Sequence, residues 1–112
     1  MPVGLTMQPE LRLERRAVDV EGPLGAATIL ADRTRMSILA LLADGPLCVC
    51  ELAAALDERQ NNTSNHLARL RDAGLVRAVR GGSDSRRVYY ERDAEACDDA
   101  LAHLRGLLGP SA

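Results

Sequence analysis

The sequence predicts a small, mostly α-helical domain with one two-stranded β-hairpin, and three consecutive patterns are the evidence. In residues 47–56, apolar side chains recur at i, i+3, i+4 and i+7, the spacing of a helix with one buried face. After a short linker, one face of a second helix is formed in residues 60–74 by Thr63, Leu67, Leu70 and Gly74. Residues 75–80 and 86–90 then flank a Gly-rich turn, as two paired strands do. Helix, turn, helix and hairpin in this order define a winged helix-turn-helix.

The second helix of this unit has an outward face suited to DNA. A step of about 100° per residue turns Asn61, Asn62, Asn65 and Arg69 away from the apolar side. Amide and guanidinium groups bind base edges and phosphates. A plain solvated helix face has the same composition, so the helix alone leaves both interpretations open.

Charge is distributed unevenly along the chain. The formal net charge is −2, which by itself argues against a nucleic-acid partner. Residues 59–92 hold eight Arg and three acidic residues, however, whereas residues 93–112 hold four acidic residues and one Arg. Because attraction to phosphate depends on the local field, a basic half of this kind favours DNA binding.

Length and composition indicate one domain with a modest core. The chain has 112 residues, 46% of them hydrophobic, with neither Phe nor Trp, so the core is expected to consist of Leu, Ala, Val and Ile between helices. No apolar run reaches the roughly 20 residues that span a bilayer. The N-terminus has no signal-peptide pattern. We therefore expect a cytoplasmic protein without a membrane partner.

The chain divides into three expected segments. Residues 1–23 form a leader with a weak arm helix that Glu21-Gly22-Pro23 ends. Residues 24–108 form the winged domain, in which Asp32 or Thr34 caps a helix. Residues 109–112 form a tail.

The last helix of the winged domain, which Asp93 caps, carries an apolar stripe. Cys97, Leu101, Leu104 and Leu108 follow one another at helical spacing. A chain of this length has little other core to cover them, so we expect the last helices of two subunits to pair in a symmetric homodimer.

Four short motifs occur in a fixed order across residues 24–108. They are Asp32-Arg33-Thr34-Arg35, Leu47-Cys48-Val49-Cys50-Glu51-Leu52, Thr63-Ser64-Asn65-His66-Leu67 and the strand with Tyr89-Tyr90. In this order they resemble the ArsR/SmtB family of metal-responsive repressors. The resemblance implies a homodimeric winged-helix repressor that binds double-stranded operator DNA and pairs through its terminal helices.

The outward helix face, the basic hairpin and the resemblance together give a set of expected DNA contacts. Ser64 and His66 join the amides near base edges, and the Arg side chains bind the DNA backbone. The complete set is Asn61, Asn62, Thr63, Ser64, Asn65, His66, Arg69, Arg80, Arg86 and Arg87.

Three Cys are the soft ligands of the chain. The cytoplasm keeps thiols reduced, so metal binding or thiol redox chemistry is expected rather than a structural disulfide. On a regular helix, Cys48 and Cys50 would point about 200° apart and could hold one ion only if the first turn were distorted. Two unrelated Cys in these places would more often be small packed hydrophobes.

The resemblance instead favours metal binding over packing for Cys48 and Cys50. Relatives use the Cys-Val-Cys segment for arsenite, antimonite, cadmium or lead, which implies such an ion as inducer here. Ala53 stands where arsenic-sensing relatives can carry a third Cys. The third ligand would then be water or Cys97, which is otherwise a packed interface residue. The expected metal ligands are Cys48, Cys50 and Cys97.

The function predicted from the sequence is a transcriptional repressor that releases its operator when a thiophilic ion binds these thiolates. The first alternative is a repressor of the same fold that senses peroxide or persulfide through its thiols. A winged helix that mediates only protein contacts is the second alternative. An enzyme is not expected, because the sequence has no paired acids in an apolar setting, no nucleophile with a base and no phosphate-cradling loop.

Overall fold

The computed structural model describes residues 17–80 and 87–110. Strands β2 and β3 pair antiparallel as the wing, and the short β1 pairs with the other edge of β3. The mostly helical winged fold is thus confirmed. In chain order the elements are α1 Glu21–Leu30, α2 Arg33–Leu42, β1 Leu47–Cys48, α3 Val49–Leu56, α4 Gln60–Asp72, β2 Val76–Arg80, β3 Val88–Arg92 and α5 Ala94–Leu108.

Helix α1 begins where the sequence pattern predicted the end of a helix. Residues 17–20 are not helical, and Glu21-Gly22-Pro23 forms the first turn of α1. Proline fits a first turn because the N–H it lacks would have no partner within the helix. The carboxylate of Asp19 accepts the backbone N–H of Glu21 at 3.1 Å. The boundary expected between the leader and the winged domain, after residue 23, lies within this first turn. Residues 10–16 of the expected arm helix lie outside the described part of the chain.

Helix α2 has the predicted start and end. Asp32 is its N-cap, and its Oδ2 accepts the backbone N–H of Arg35 at 2.9 Å. The helix ends at Leu42, and the chain leaves it through Gly45, whose φ of +141° is open mainly to glycine.

The short strand β1 is absent from the sequence prediction, which started a helix at this point. Leu47 pairs with Tyr90 and Cys48 with Tyr89. The two residues are extended because they follow the Gly45-Pro46 turn and complete the sheet before α3 begins. The wing is therefore joined directly to the chain that enters α3.

Side chains from α2, α3 and α4 build the core. Ile38, Leu52, Leu67 and Leu70 are its largest aliphatic members and are almost completely buried. This aliphatic core agrees with the composition. None of the described helices is long and apolar enough to cross a bilayer.

Helix α5 packs on α1 and leaves much of its apolar stripe exposed. At their crossing, a Cβ on Gly22 would lie 2.6 Å from Nδ1 of His103, so a larger residue at this position would require the His103 side chain to move. No residue of α5 is fully buried in the single chain. Leu101, Leu107 and Leu108 are 51%, 54% and 78% exposed.

Candidate DNA-binding surface and thiol site

Helix α4 presents most of its predicted contact residues to solvent. Asn61, Ser64, Asn65 and Arg69 are exposed along one side, while Leu67 and Leu70 anchor the other side in the core. This arrangement follows the predicted helical spacing. The exposed side carries amide, hydroxyl and guanidinium groups, which can bind base edges and phosphates.

Thr63 is not on this surface, and its expected contact with DNA is wrong in this conformation. Its side chain is 0% exposed, and its hydroxyl donates to the carbonyl oxygen of Arg59 at 3.1 Å. The position lies on the same helical face as Leu67 and Leu70, so burial follows from the spacing. Thr63 therefore packs α4 against the core.

Two further predicted contacts are partly engaged within the protein. Asn62 is half-buried and donates from Nδ2 to Oε1 of Glu58 at 2.6 Å. The Nδ1 atom of His66 lies 3.4 Å from a guanidinium nitrogen of Arg35 and 3.6 Å from Oδ2 of Asp32. His66 thus contacts the start of α2 as well as lying on α4.

The wing carries the remaining predicted arginines. Arg80 is exposed at the end of β2, and Arg87 is exposed just before β3. Arg86 lies outside the described residues. A side-chain hydrogen bond with Tyr89 raises the pKa of Arg87, and the nearby thiols of Cys50 and Cys48 raise it further.

A cross-strand ion pair at the base of the wing was not predicted from the sequence. Arg77 contacts Glu91 at 2.6 Å and Asp93 at 3.1 Å. Arg77 and Glu91 are directly opposed in the β2–β3 register. The alternating strand pattern with opposite charges could have indicated this pair. It fixes the wing to the start of α5.

Cys48 and Cys50 lie in contact, with their Sγ atoms 2.7 Å apart. Cys48 is the N-cap of α3 with extended backbone angles, φ −87° and ψ 168°, and Cys50 is on the first turn. The expected angle of about 200° applied to two residues inside one helix. Because Cys48 precedes the helix, its side chain turns towards Cys50 without any distortion of the helix, and that part of the expectation is wrong.

Glu51 fixes the backbone at this pair. Its Oε1 accepts the N–H of Cys48 at 2.9 Å, which is the carboxylate half of a capping box. This hydrogen bond lowers the pKa of Glu51. A Glu three positions after the residue that precedes a helix is a signal for this cap, and it could have placed the start of α3 correctly.

The two thiols differ in their exposure. Cys48 is 2% exposed, whereas Cys50 is exposed. Burial raises the pKa of Cys48, and the hydrogen bond with Cys50 raises it further. Cys48 is thus a protonated thiol at neutral pH, and an ion that binds it must displace the proton.

Cys97 lies apart from this pair. Its half-buried thiol is 3.8 Å from the carbonyl oxygen of Leu75, and burial raises its pKa. Across residues 17–80 and 87–110, no three His, Cys, Asp or Glu side chains are grouped so that they could hold a metal ion. The single chain therefore brings together two of the three predicted ligands, and the ligand role of Cys97 stays a prediction.

The fold and the exposed α4 surface define a winged helix-turn-helix regulator. Residues 32–78 match the model of the family described as "Bacterial regulatory protein, arsR family". The chain is 51% identical over 55 residues to the arsenical resistance operon repressor of Escherichia coli K12, and the matched segment covers 48% of this chain and 47% of that protein. It is 33% identical over 76 residues to the arsenical resistance operon repressor of Staphylococcus aureus, covering 68% and 70% of the two chains.

Solved structures agree with these relatives. A crystal structure described as a possible transcriptional regulator for arsenical resistance is 34% identical, has a TM-score of 0.60 and covers 74% of this chain and 79% of its own. The chain belongs to the arsR family of bacterial regulatory proteins, whose members regulate transcription and are not enzymes. It spans 47% to 60% of the length of the first three curated relatives.

Proposed function

We propose that this protein is a homodimeric, cytoplasmic transcriptional repressor that releases its operator when a thiophilic metal or metalloid ion binds Cys48 and Cys50. The observation that carries the proposal is the contact of two reduced thiols, 2.7 Å apart, at the start of α3. Helix α3 packs directly on α4. A ligand at the thiols therefore acts one helix away from the surface that reads DNA.

The donor set fits a soft ion. Thiolates select soft cations over the hard ions that prefer oxygen ligands. Cys50 gives access from solvent, and Cys48 gives a buried second bond that water cannot easily displace. Arsenite, antimonite, cadmium and lead are all candidates, and the relatives include proteins named for arsenical resistance and for cadmium resistance. The third coordination position is left to Cys97, from the same or the partner subunit, or to water.

The proposed DNA surface combines α4 with the wing. Asn61, Ser64 and Asn65 would approach base edges in the major groove, and Arg69 would bind a phosphate. Arg80 and Arg87 would extend the contact along the DNA backbone. Asn62 and His66 would reach DNA only by giving up part of their contacts with Glu58, Asp32 and Arg35.

The exposed apolar face of α5 supports a homodimer. Leu101, Leu107 and Leu108 together offer a surface that a single small domain leaves uncovered. Pairing of two α5 helices about a twofold axis would bury it and set two α4 helices against successive turns of the DNA major groove.

A second function on the same fold is thiol redox sensing, and the same contact supports it. Two thiols 2.7 Å apart need only a small approach to the roughly 2.05 Å of a disulfide. Peroxide would oxidise the pair, with loss of two protons and two electrons from the thiols and reduction of the peroxide to water. The two functions predict different inducers.

DNA titrations with different inducers separate these functions. An operator is first selected from random duplexes, and binding of the reduced protein is measured by fluorescence anisotropy. Arsenite, antimonite, cadmium, lead or hydrogen peroxide is then added. We expect an ion to weaken operator binding by about 10- to 100-fold, because coupling between two sites is typically about 1 to 3 kcal/mol.

Serine variants provide the controls. C48S and C50S should bind the operator normally and lose the response to the ion, since Ser keeps the size and removes the soft donor. C97S tests the third ligand: loss of the response would include Cys97 in the site, and an unchanged response would leave it in a packing role. A wild type that responds only to peroxide would replace the ion with the redox function, and a wild type without sequence-specific DNA binding would contradict both.

A further inference from the structure

Arg35 joins three helices through one side chain. From α2 its Nε donates to the carbonyl oxygen of Ile29 at 2.5 Å, and a terminal nitrogen donates to that of Thr28 at 3.3 Å. The other terminal nitrogen lies 3.4 Å from Nδ1 of His66 on α4. A guanidinium has donors on three nitrogens in one plane, which lets it serve both helices at once.

The contact with α1 is electrostatically favourable. The last turn of α1 has no basic residue of its own. Its terminal carbonyl groups lack partners within the helix and carry partial negative charge. Arg35 supplies the missing cation from the neighbouring helix. The guanidinium is thus tied to the layer formed by α1 and α5.

The contact with α4 places the Arg35 guanidinium against the His66 ring. Arg35 has no acceptor atom, so a hydrogen bond between the two side chains is one that Arg35 donates to Nδ1 of His66. The nearby Oδ2 of Asp32 accepts the backbone N–H of Arg35 and so fixes where α2 begins. His66 follows Asn65 directly on α4, so a displacement of the helix at His66 also displaces the exposed amide of Asn65.

We propose that Arg35 is a positioning residue for DNA recognition. Resting on the DNA-binding function proposed above, Arg35 holds α4 in its reading orientation through His66 and ties that orientation to α1 and, through α1, to α5. It acts without touching DNA. This assigns the Asp32–Arg35 segment a role in recognition beyond capping α2.

A double-mutant cycle tests the proposal. The variants are Arg35→Met, His66→Ala and the double variant, each measured for affinity to the selected operator, affinity to an unrelated duplex and dependence on salt. We expect each single variant to lose about tenfold in operator affinity and the double variant to lose no more than either, because residues that act through one contact are not additive. Affinity for unrelated DNA and the salt slope should stay unchanged, since these report phosphate contacts.

Two further variants serve as controls. Arg33→Met removes the same charge from an exposed neighbouring position on α2 and should leave operator affinity within about twofold. His66→Asn keeps an acceptor near the position of Nδ1 and should retain most of the operator affinity that His66→Ala loses. Circular dichroism and thermal unfolding check that each variant is folded at the assay temperature.

The possible results separate this proposal from the proposed function. Equal wild-type affinity for operator and unrelated DNA would contradict DNA recognition itself. With a specific wild type, a salt slope reduced by about one in Arg35→Met would make Arg35 a phosphate contact and overturn positioning. Additive losses in the cycle would overturn the link through His66. If Arg35→Met does not fold, the His66 variants decide: equal affinity of His66→Ala and wild type overturns the proposal, and a loss that His66→Asn restores supports it.

Discussion

Thr63 and Asn65 lie two residues apart on α4, and the structure predicts opposite effects of replacing them. Thr63 is 0% exposed and donates its hydroxyl to the carbonyl oxygen of Arg59, whereas Asn65 is exposed. Thr63→Val should therefore alter stability and leave DNA binding unchanged. Asn65→Ala should alter DNA binding and leave stability unchanged.

The expected magnitude depends on the groups that each change leaves behind. The carbonyl of Arg59 also accepts the backbone N–H of Thr63 at 3.0 Å, so it keeps one partner in Thr63→Val. The net loss is one neutral hydrogen bond, about 1 kcal/mol, partly offset by the buried methyl group that replaces the hydroxyl. Thr63→Ala loses the hydrogen bond and leaves a small cavity, for a total of about 2 kcal/mol. Asn65→Ala should weaken operator binding by about 1 to 3 kcal/mol if its amide reads a base.

Thermal unfolding and operator titration measure the two effects on the same samples. Thr63→Val should lower the Tm by less than about 8 °C, and its operator affinity should stay within about twofold at a temperature where it is folded. A tenfold loss of operator affinity in Thr63→Val at an unchanged Tm would refute the inward orientation of this side chain.

Three further predictions concern the thiols, acid stability and assembly. Iodoacetamide should alkylate Cys50 before Cys48 in the native protein, as peptide mass spectrometry would measure, because burial shields Cys48 and raises its pKa; equal rates would contradict the buried position. Backbone hydrogen bonds lower the pKa values of Asp32 and Glu51 in the folded protein, so the stability that these carboxylates contribute is present above about pH 4.5 and is lost as the pH falls through the folded pKa values. Thermal unfolding across this pH range should show a smaller loss of stability in Asp32→Asn and in Glu51→Gln than in the wild type. If both variants lose stability with pH as steeply as the wild type, these carboxylates are not the cause of the acid dependence. Leu101→Asp should yield a monomer at micromolar concentration in sedimentation experiments, since it places a charge on the exposed α5 stripe; an unchanged dimer would move the interface elsewhere.

The repeating patterns of the sequence predicted the fold well because each pattern depends on local geometry. The apolar spacing around Leu52 and Leu67 identifies the buried faces of α3 and α4. The N-cap at Asp32 is equally local, because the Asp32 side chain accepts a hydrogen bond from the backbone N–H of Arg35, three residues later. These features need no knowledge of distant contacts. They also located the exposed amides of α4.

The errors arose where a distant segment decides the conformation. Leu47 and Cys48 were placed in a helix, but pairing with Tyr90 and Tyr89 holds them extended. Their partners are more than forty positions away in the sequence, and the apolar spacing of the following helix hid the boundary. The same error produced the wrong angle between the thiols, since a cap residue does not follow the helical step.

The position of Cys48 at this boundary indicates how a ligand bound to its sulfur would affect the DNA-binding elements. Its backbone pairs with Tyr89 in the strand that forms the wing, and its N–H is held by Glu51 on the first turn of α3. The packing of α3 on α4 extends the second path to the reading helix. A ligand that draws the Sγ atoms of Cys48 and Cys50 into a fixed geometry would therefore act on the wing and on α4 together. Because Cys48 is linked both to the wing and, through α3, to α4, a small movement at the thiols would disturb the DNA contacts of both elements at once.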